Sequence, residues 1–211
     1  MKSTPSPLSS FIKILFLIIL SWTLLILTPM IQFGAQKPYE EQVSGELVPL
    51  PLSGLAVRGS QIYEENGCAS CHTQQTRNHP LDSASSYGKR ATVTRDLLYQ
   101  PATVAGFNRW GPDLSNIGER KKSADWHHQH LFSPQSLSPE SIMPSYSFLY
   151  EKRKIKAQPS SEALKLPASI PLEQDEEVIP TSEAKALVAY LLSLNQSYPL
   201  PESPLHEDSE K

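Results

Sequence analysis

Cys68-Ala69-Ser70-Cys71-His72 gathers the only two cysteines of a 211-residue chain and sets a histidine directly behind them. The spacing Cys-x-x-Cys-His is that of covalent attachment of a c-type haem, in which the two thiols add to vinyl groups and the imidazole ligates the iron. A zinc site normally needs four Cys or His ligands in two closely spaced pairs, and no second pair of suitable spacing follows. A thioredoxin-like motif opens a helix after a strand, whereas here a helical pattern comes first. The pentapeptide therefore points to one-electron chemistry, with a simple disulfide as the bland alternative.

Haem is attached outside the cytoplasm, so the chain must be exported. From Ile14 to Phe33 it carries no charge, and about twenty residues at 1.5 Å each span roughly 30 Å of hydrocarbon. Lys2 and Lys13 precede this run and no acid does, which puts residues 1–13 in the cytoplasm and the rest of the chain across the membrane. A cleaved signal peptide would be shorter and end in small residues; Phe33-Gly34-Ala35 is a poor match, so an uncleaved single-pass anchor over 14–33 is expected. Residues 34–52, with Pro38, Gly45, Pro49 and Pro51, read as an extended tether.

Residues 53–196 are then enough for one small domain. A net charge of −3 suggests no nucleic-acid partner. Regular structure is expected to be all-α. Ser53 caps a helix to about Asn66, with Leu55, Gly59, Ile62 and Tyr63 on one face and Gly67 as its stop. A second helix covers Ala124 to Phe132. Thr181 or Ser182 caps a third over Glu183 to Leu194, with Ala184, Leu187, Val188, Leu191 and Leu192 as its apolar stripe. Nineteen prolines imply long irregular insertions, at 73–109 and 151–180, and residues 197–211 read as a disordered acidic tail.

A sixth ligand decides between carrier and catalyst, because only an open haem position admits oxygen or peroxide without loss of a ligand. Of three methionines, Met1 is the start and Met30 lies in the anchor, leaving Met143 in Pro139-Glu140-Ser141-Ile142-Met143-Pro144. A core methionine is the alternative. His79, His127, His128 and His130 are the competing ligands.

These residues resemble the class I cytochrome c fold. Gly59 and Tyr63 match its N-terminal helix, Tyr190 matches the aromatic of the crossing C-terminal helix, and Met143-Pro144 matches its Met-Pro loop. Gly111-Pro112-Asp113-Leu114 is similar to its Gly-Pro-Asn-Leu segment, which implies that the Pro112 carbonyl accepts the Nδ1 proton of His72. The long stretch between motif and Gly-Pro segment, the CHxQ sequence with Arg77, Asp125-Trp126-His127 with His130-Leu131, and the PESxMP sequence resemble the membrane-anchored monohaem subunit of cbb3-type cytochrome c oxidases, the CcoO/FixO type. The resemblance implies one covalently bound haem c on Cys68 and Cys71, with His72 and Met143 as axial ligands. It also implies a bacterial inner-membrane location with the cytochrome domain on the periplasmic side. The partners implied are a catalytic subunit with haem b and copper, a dihaem cytochrome c subunit and soluble cytochrome c. No catalytic residue is expected in this chain, which would relay electrons and not reduce oxygen itself. Arg77, Arg109 and Trp110 are candidate haem contacts, since arginine pairs with carboxylates through two hydrogen bonds. The chain departs from the pattern at Asn78, where a proline is common, and in a shorter 151–180 segment. The anchored monohaem subunit of a nitric oxide reductase, a free-standing anchored carrier, and an open-haem enzyme or gas sensor are the alternatives.

Overall fold

The computed structural model describes residues 6–34, 36–77, 82, 87–100, 102–167, 170, 172–173 and 175–205. Asn78, His79 and the end of the acidic tail lie outside these residues. The chain divides into two compact units, Met1–Lys37 and Pro38–Lys211.

The first unit is helical. Pro7 needs no N–H donor at the first helical position, and the Ser6 hydroxyl accepts from Ser9 N at 3.3 Å, so α1 (Pro7–Trp22) begins well before the apolar run. A π-helical turn over Thr23–Leu27 leads into α2 (Thr28–Phe33). Pro29 cannot donate to the ladder, and the wider turn, with Thr28 Oγ1 donating to the Thr23 carbonyl at 3.0 Å, accommodates that loss. Among the described residues, Pro7–Gln32 is the one helix long and apolar enough to cross a membrane.

The second unit is built on two crossing helices, α3 (Gly54–Glu65) and, at the far end of the chain, α7 (Ser182–Ser193). Ser53 Oγ caps α3 through Ala56 N, and Thr181 Oγ1 caps α7 through Ala184 N. A Cβ at Gly59 would lie 2.0 Å from the Ala186 carbonyl oxygen and 2.6 Å from Tyr190 Cβ, so glycine is what lets the two helices touch. Beside that contact the Tyr63 and Tyr190 rings meet edge to face at 5.5 Å between centroids. Ala56, Ile62, Leu187, Val188 and Leu191 complete the core between the helices. Three further helices, α4 (Ile117–Arg120), α5 (Ala124–Phe132) and α6 (Pro134–Leu137), follow the central loops.

The fold is helix-rich but not purely helical. In the segment read as an extended tether, β1 (Tyr39–Glu40) pairs antiparallel with β2 (Leu47–Val48), with Tyr39 opposite Val48. Within the segment read as irregular, β3 (Tyr150–Lys154) pairs antiparallel with β4 (Glu176–Pro180), with Lys152 opposite Val178. The charged run of β3 is a poor strand former alone; it is held because Tyr150, Val178 and Ile179 are buried beside it. The tail expected from 197 onward is docked as far as Ser203, whose hydroxyl donates to the Ala91 carbonyl. Arg90, buried with Asp96 in an ion pair at 2.7 Å, donates through Nε to the Tyr198 carbonyl. The Tyr198 hydroxyl donates to Asp96, and Leu200 is buried.

Candidate functional site

Gly67, at a φ of +66°, takes the left-handed conformation that ends α3 and turns the chain into a 3-10 turn over Cys68–Ser70. His72 N donates to the Cys68 carbonyl at 3.0 Å, so one tight turn brings both thiols and the imidazole together. Both cysteines are free, Cys68 buried and Cys71 half-buried. Burial pushes the Cys68 thiol up to about 11, partly offset by a hydrogen bond with the Tyr146 hydroxyl.

The loop over 104–114 wraps this turn. Gln74 N donates to the Ala105 carbonyl at 2.9 Å, Gly111 N to the Cys71 carbonyl at 3.0 Å, and Leu114 N to the Thr73 carbonyl at 2.7 Å. A Cβ at Gly111 would sit 2.3 Å from His72 Cε1, so the backbone lies against the imidazole where no other residue fits. His72 Nδ1 is 2.8 Å from the Pro112 carbonyl oxygen. A carbonyl only accepts, so Nδ1 carries the proton and Nε2 keeps its lone pair. Burial also lowers the pKa of His72, which favours that neutral form.

Behind the imidazole lies a polar cluster that the sequence did not reveal. Asp113, with no exposed surface, accepts from Thr73 Oγ1 at 2.5 Å, Gln75 N at 2.8 Å, and Ser115 N and Oγ at 2.9 and 2.5 Å. Arg109 reaches Asp82 at 2.6 Å, the Gln75 carbonyl at 2.5 Å, Thr73 Oγ1 at 2.7 Å and Asp113 at 3.4 Å. Arg77 contributes its backbone N–H to Asp82 at 2.8 Å and is otherwise exposed, as is Trp110.

Met143 is half-buried against the core cluster that contains Cys68. Its segment hangs from α5 and α6. Gln135 Nε2 donates to the carbonyls of Ser141 and Met143, both at 2.9 Å, and Tyr146 N donates to the Leu131 carbonyl at 2.8 Å. The α5 histidines have local partners: His127 Nε2 donates to the Lys121 carbonyl, His128 Nδ1 bonds the Tyr150 hydroxyl, and His130 stacks on Trp126 at 4.8 Å. His130 Nδ1 is buried with no hydrogen-bond partner among the described residues. Those residues contain no group of three His, Cys, Asp or Glu side chains placed to hold a metal ion.

The residues thus define a class: a small helix-rich domain with a Cys/Cys/His turn, on a chain that carries, among the described residues, one membrane-length apolar helix. Over residues 8–187 the sequence matches the family of cytochrome c oxidase mono-haem subunits, FixO, and the chain belongs to that family. Comparison with curated proteins gives no match. Membership makes the chain a haem-bearing subunit of an oxidoreductase complex, acting in electron transport with the other subunits of the oxidase.

Proposed function

We propose that this chain is the electron-relay subunit of a cbb3-type oxidase, with a class I cytochrome c domain on the periplasmic side of the bacterial inner membrane. Electrons would arrive from a dihaem subunit or a soluble cytochrome c and leave to haem b of the catalytic subunit. The haem supplies a reversible one-electron iron couple when bound. Everything else rests on this chain's own residues. Cys68 and Cys71 are free, one turn apart, and suited to thioether attachment. His72, through Nε2, and Met143 would hold the haem iron. Arg77, Arg109 and Trp110 are proposed to line the haem surroundings, Arg109 chiefly by holding the loop behind His72.

The observation that carries this reading is the 2.8 Å bond from His72 Nδ1 to the Pro112 carbonyl. It fixes the ring orientation and tautomer and strengthens Nε2 as a donor to iron, as metal-bound histidines require. A pyridine haemochrome assay on the complex purified in mild detergent tests the proposal, because it counts c-type and b-type haems together. One c-type haem on this chain and co-purifying b-type haem are expected. Cys68→Ala and Cys71→Ala should each impair covalent attachment; full loading of either variant would contradict it.

A further inference from the structure

The cluster behind His72 has a property that attachment alone does not explain: it places a full negative charge where the resembling Gly-Pro-Asn-Leu segment has a neutral amide. Asp113 follows directly on Pro112, whose carbonyl holds the imidazole. Its carboxylate has no exposed surface and collects five hydrogen bonds, from the Thr73 hydroxyl, Gln75 N, the Ser115 amide and hydroxyl and, at 3.4 Å, Arg109. Two cations face it. Arg109 approaches at 3.4 Å while it is shared with Asp82, and Arg120 donates to the Asp113 backbone carbonyl. Both guanidinium groups lie over the Tyr87 ring, at 5.7 and 5.5 Å from its centroid.

We infer that Asp113 is a positioning residue for the proximal ligand whose buried charge, balanced by Arg109, sets the redox poise of the haem. The positioning follows from the bonding: the carboxylate ties the segment after His72 (Thr73, Gln75) to the segment after Pro112 (Ser115), so the imidazole and its acceptor move together. The electrostatic part follows from burial, since charges in a low-dielectric interior are weakly screened. Reduction lowers the positive charge at the iron by one. A nearby anion therefore favours the oxidised form, and a nearby cation the reduced form.

This inference rests on the proposed haem attachment, and opposite signs separate it from a merely structural role. In the purified complex, Asp113→Asn keeps the shape and an acceptor oxygen but removes the charge. It should raise the reduced-to-oxidised ratio of the c-type haem at fixed ambient potential about tenfold, which is 59 mV for one electron. Arg109→Gln should lower that ratio by a similar factor, and the double variant should return towards the wild type. If the two single variants move the ratio in the same direction, or if neither moves it, the inference is overturned. Should Asp113→Asn fail to load haem, Thr73→Val gives a second arm: loss of one donor leaves the charge less compensated, so the ratio should fall, and a rise would overturn the inference. Absence of c-type haem from the wild-type complex would instead remove the attachment proposal and this inference with it. A loaded wild type with unmoved ratios removes only this inference.

Discussion

The two segments that bear the proposed axial ligands are built differently. His72 is locked: three backbone bonds join the loop over 104–114 to residues 71–74 on either side of it, the imidazole is tied to Pro112, and Gly111 leaves no space beside the ring. Met143 is half-buried on a segment held mainly by one glutamine side chain and by contacts to the end of α5. The first arrangement is over-determined by the polypeptide alone. The second has a soft side chain whose own position is fixed by little, which suits a ligand that completes its geometry on the bound group. The contrast implies that damage near His72 should abolish loading, while damage near Met143 should alter a haem that is still present.

The most severe way to probe the contrast is Gly111→Val. A Cβ there lies within 2.3 Å of the imidazole and a branched one adds further atoms, so the loop must move away and carry the Pro112 carbonyl with it. Overpacking of this kind costs about 1–3 kcal/mol, and the larger consequence is loss of the oriented ligand. Haem staining of the denatured chain should show covalent haem reduced to a small fraction of wild type. Full loading would mean that the packed loop is not needed to present His72.

Met143→Ala should act on the other side and leave attachment intact. The variant should carry stoichiometric haem, show a lower reduction potential, and bind carbon monoxide in the ferrous state where the wild type does not. Unchanged spectra would place the sixth ligand elsewhere, with His130, whose Nδ1 has no partner among the described residues, the first residue to examine. Gln135→Ala should produce a weaker form of the same result. It removes two hydrogen bonds worth about 1 kcal/mol each from the Ser141 and Met143 carbonyls, so carbon monoxide binding should be partial and the stability loss small in a denaturant titration.

Legibility in the sequence follows the range of the interactions. The starts of α3 and α7 could be read because Ser53 and Thr181 cap through residues three positions away. Gly59 and Tyr190 were legible only as a pattern shared with a known fold, because what they do is cross one helix over another. The β3–β4 ladder gave no local signal: Glu151 meets Ile179 across a long connection, and a strand of four consecutive charged residues lacks the usual alternation. Tyr198, in a tail whose composition suggested disorder, is held by Arg90 and Asp96 about a hundred positions earlier. At the site, the motif identified its own cysteines and histidine, but Tyr146 and the Asp113 cluster were hidden. A tyrosine beside a thiol and an aspartate beside a threonine become informative only when the chain brings them together.

Acid should separate the two segments by the smallest effect. The helix that carries the Met143 segment, α5, holds His127, His128 and His130, and burial lowers the pKa of all three, that of His130 to about 4. Each is held neutral in the folded chain but titrates near 6.5 when unfolded. The unfolded state therefore binds more protons than the native state between about pH 6.5 and the lower folded values. Stability must fall as pH drops through that window and level off below it. His130→Phe preserves an aromatic ring to stack on Trp126 but removes the largest of these proton-linked losses. Urea titrations of the haem-loaded protein at pH 7 and pH 5 should show a smaller acid-induced drop for the variant than for the wild type. Carbon monoxide binding at pH 5 should likewise be weaker in the variant, because loosening of α5 releases the Met143 segment before the bonds around His72 give way. Equal drops in both proteins would mean that α5 is not the acid-sensitive support of that segment.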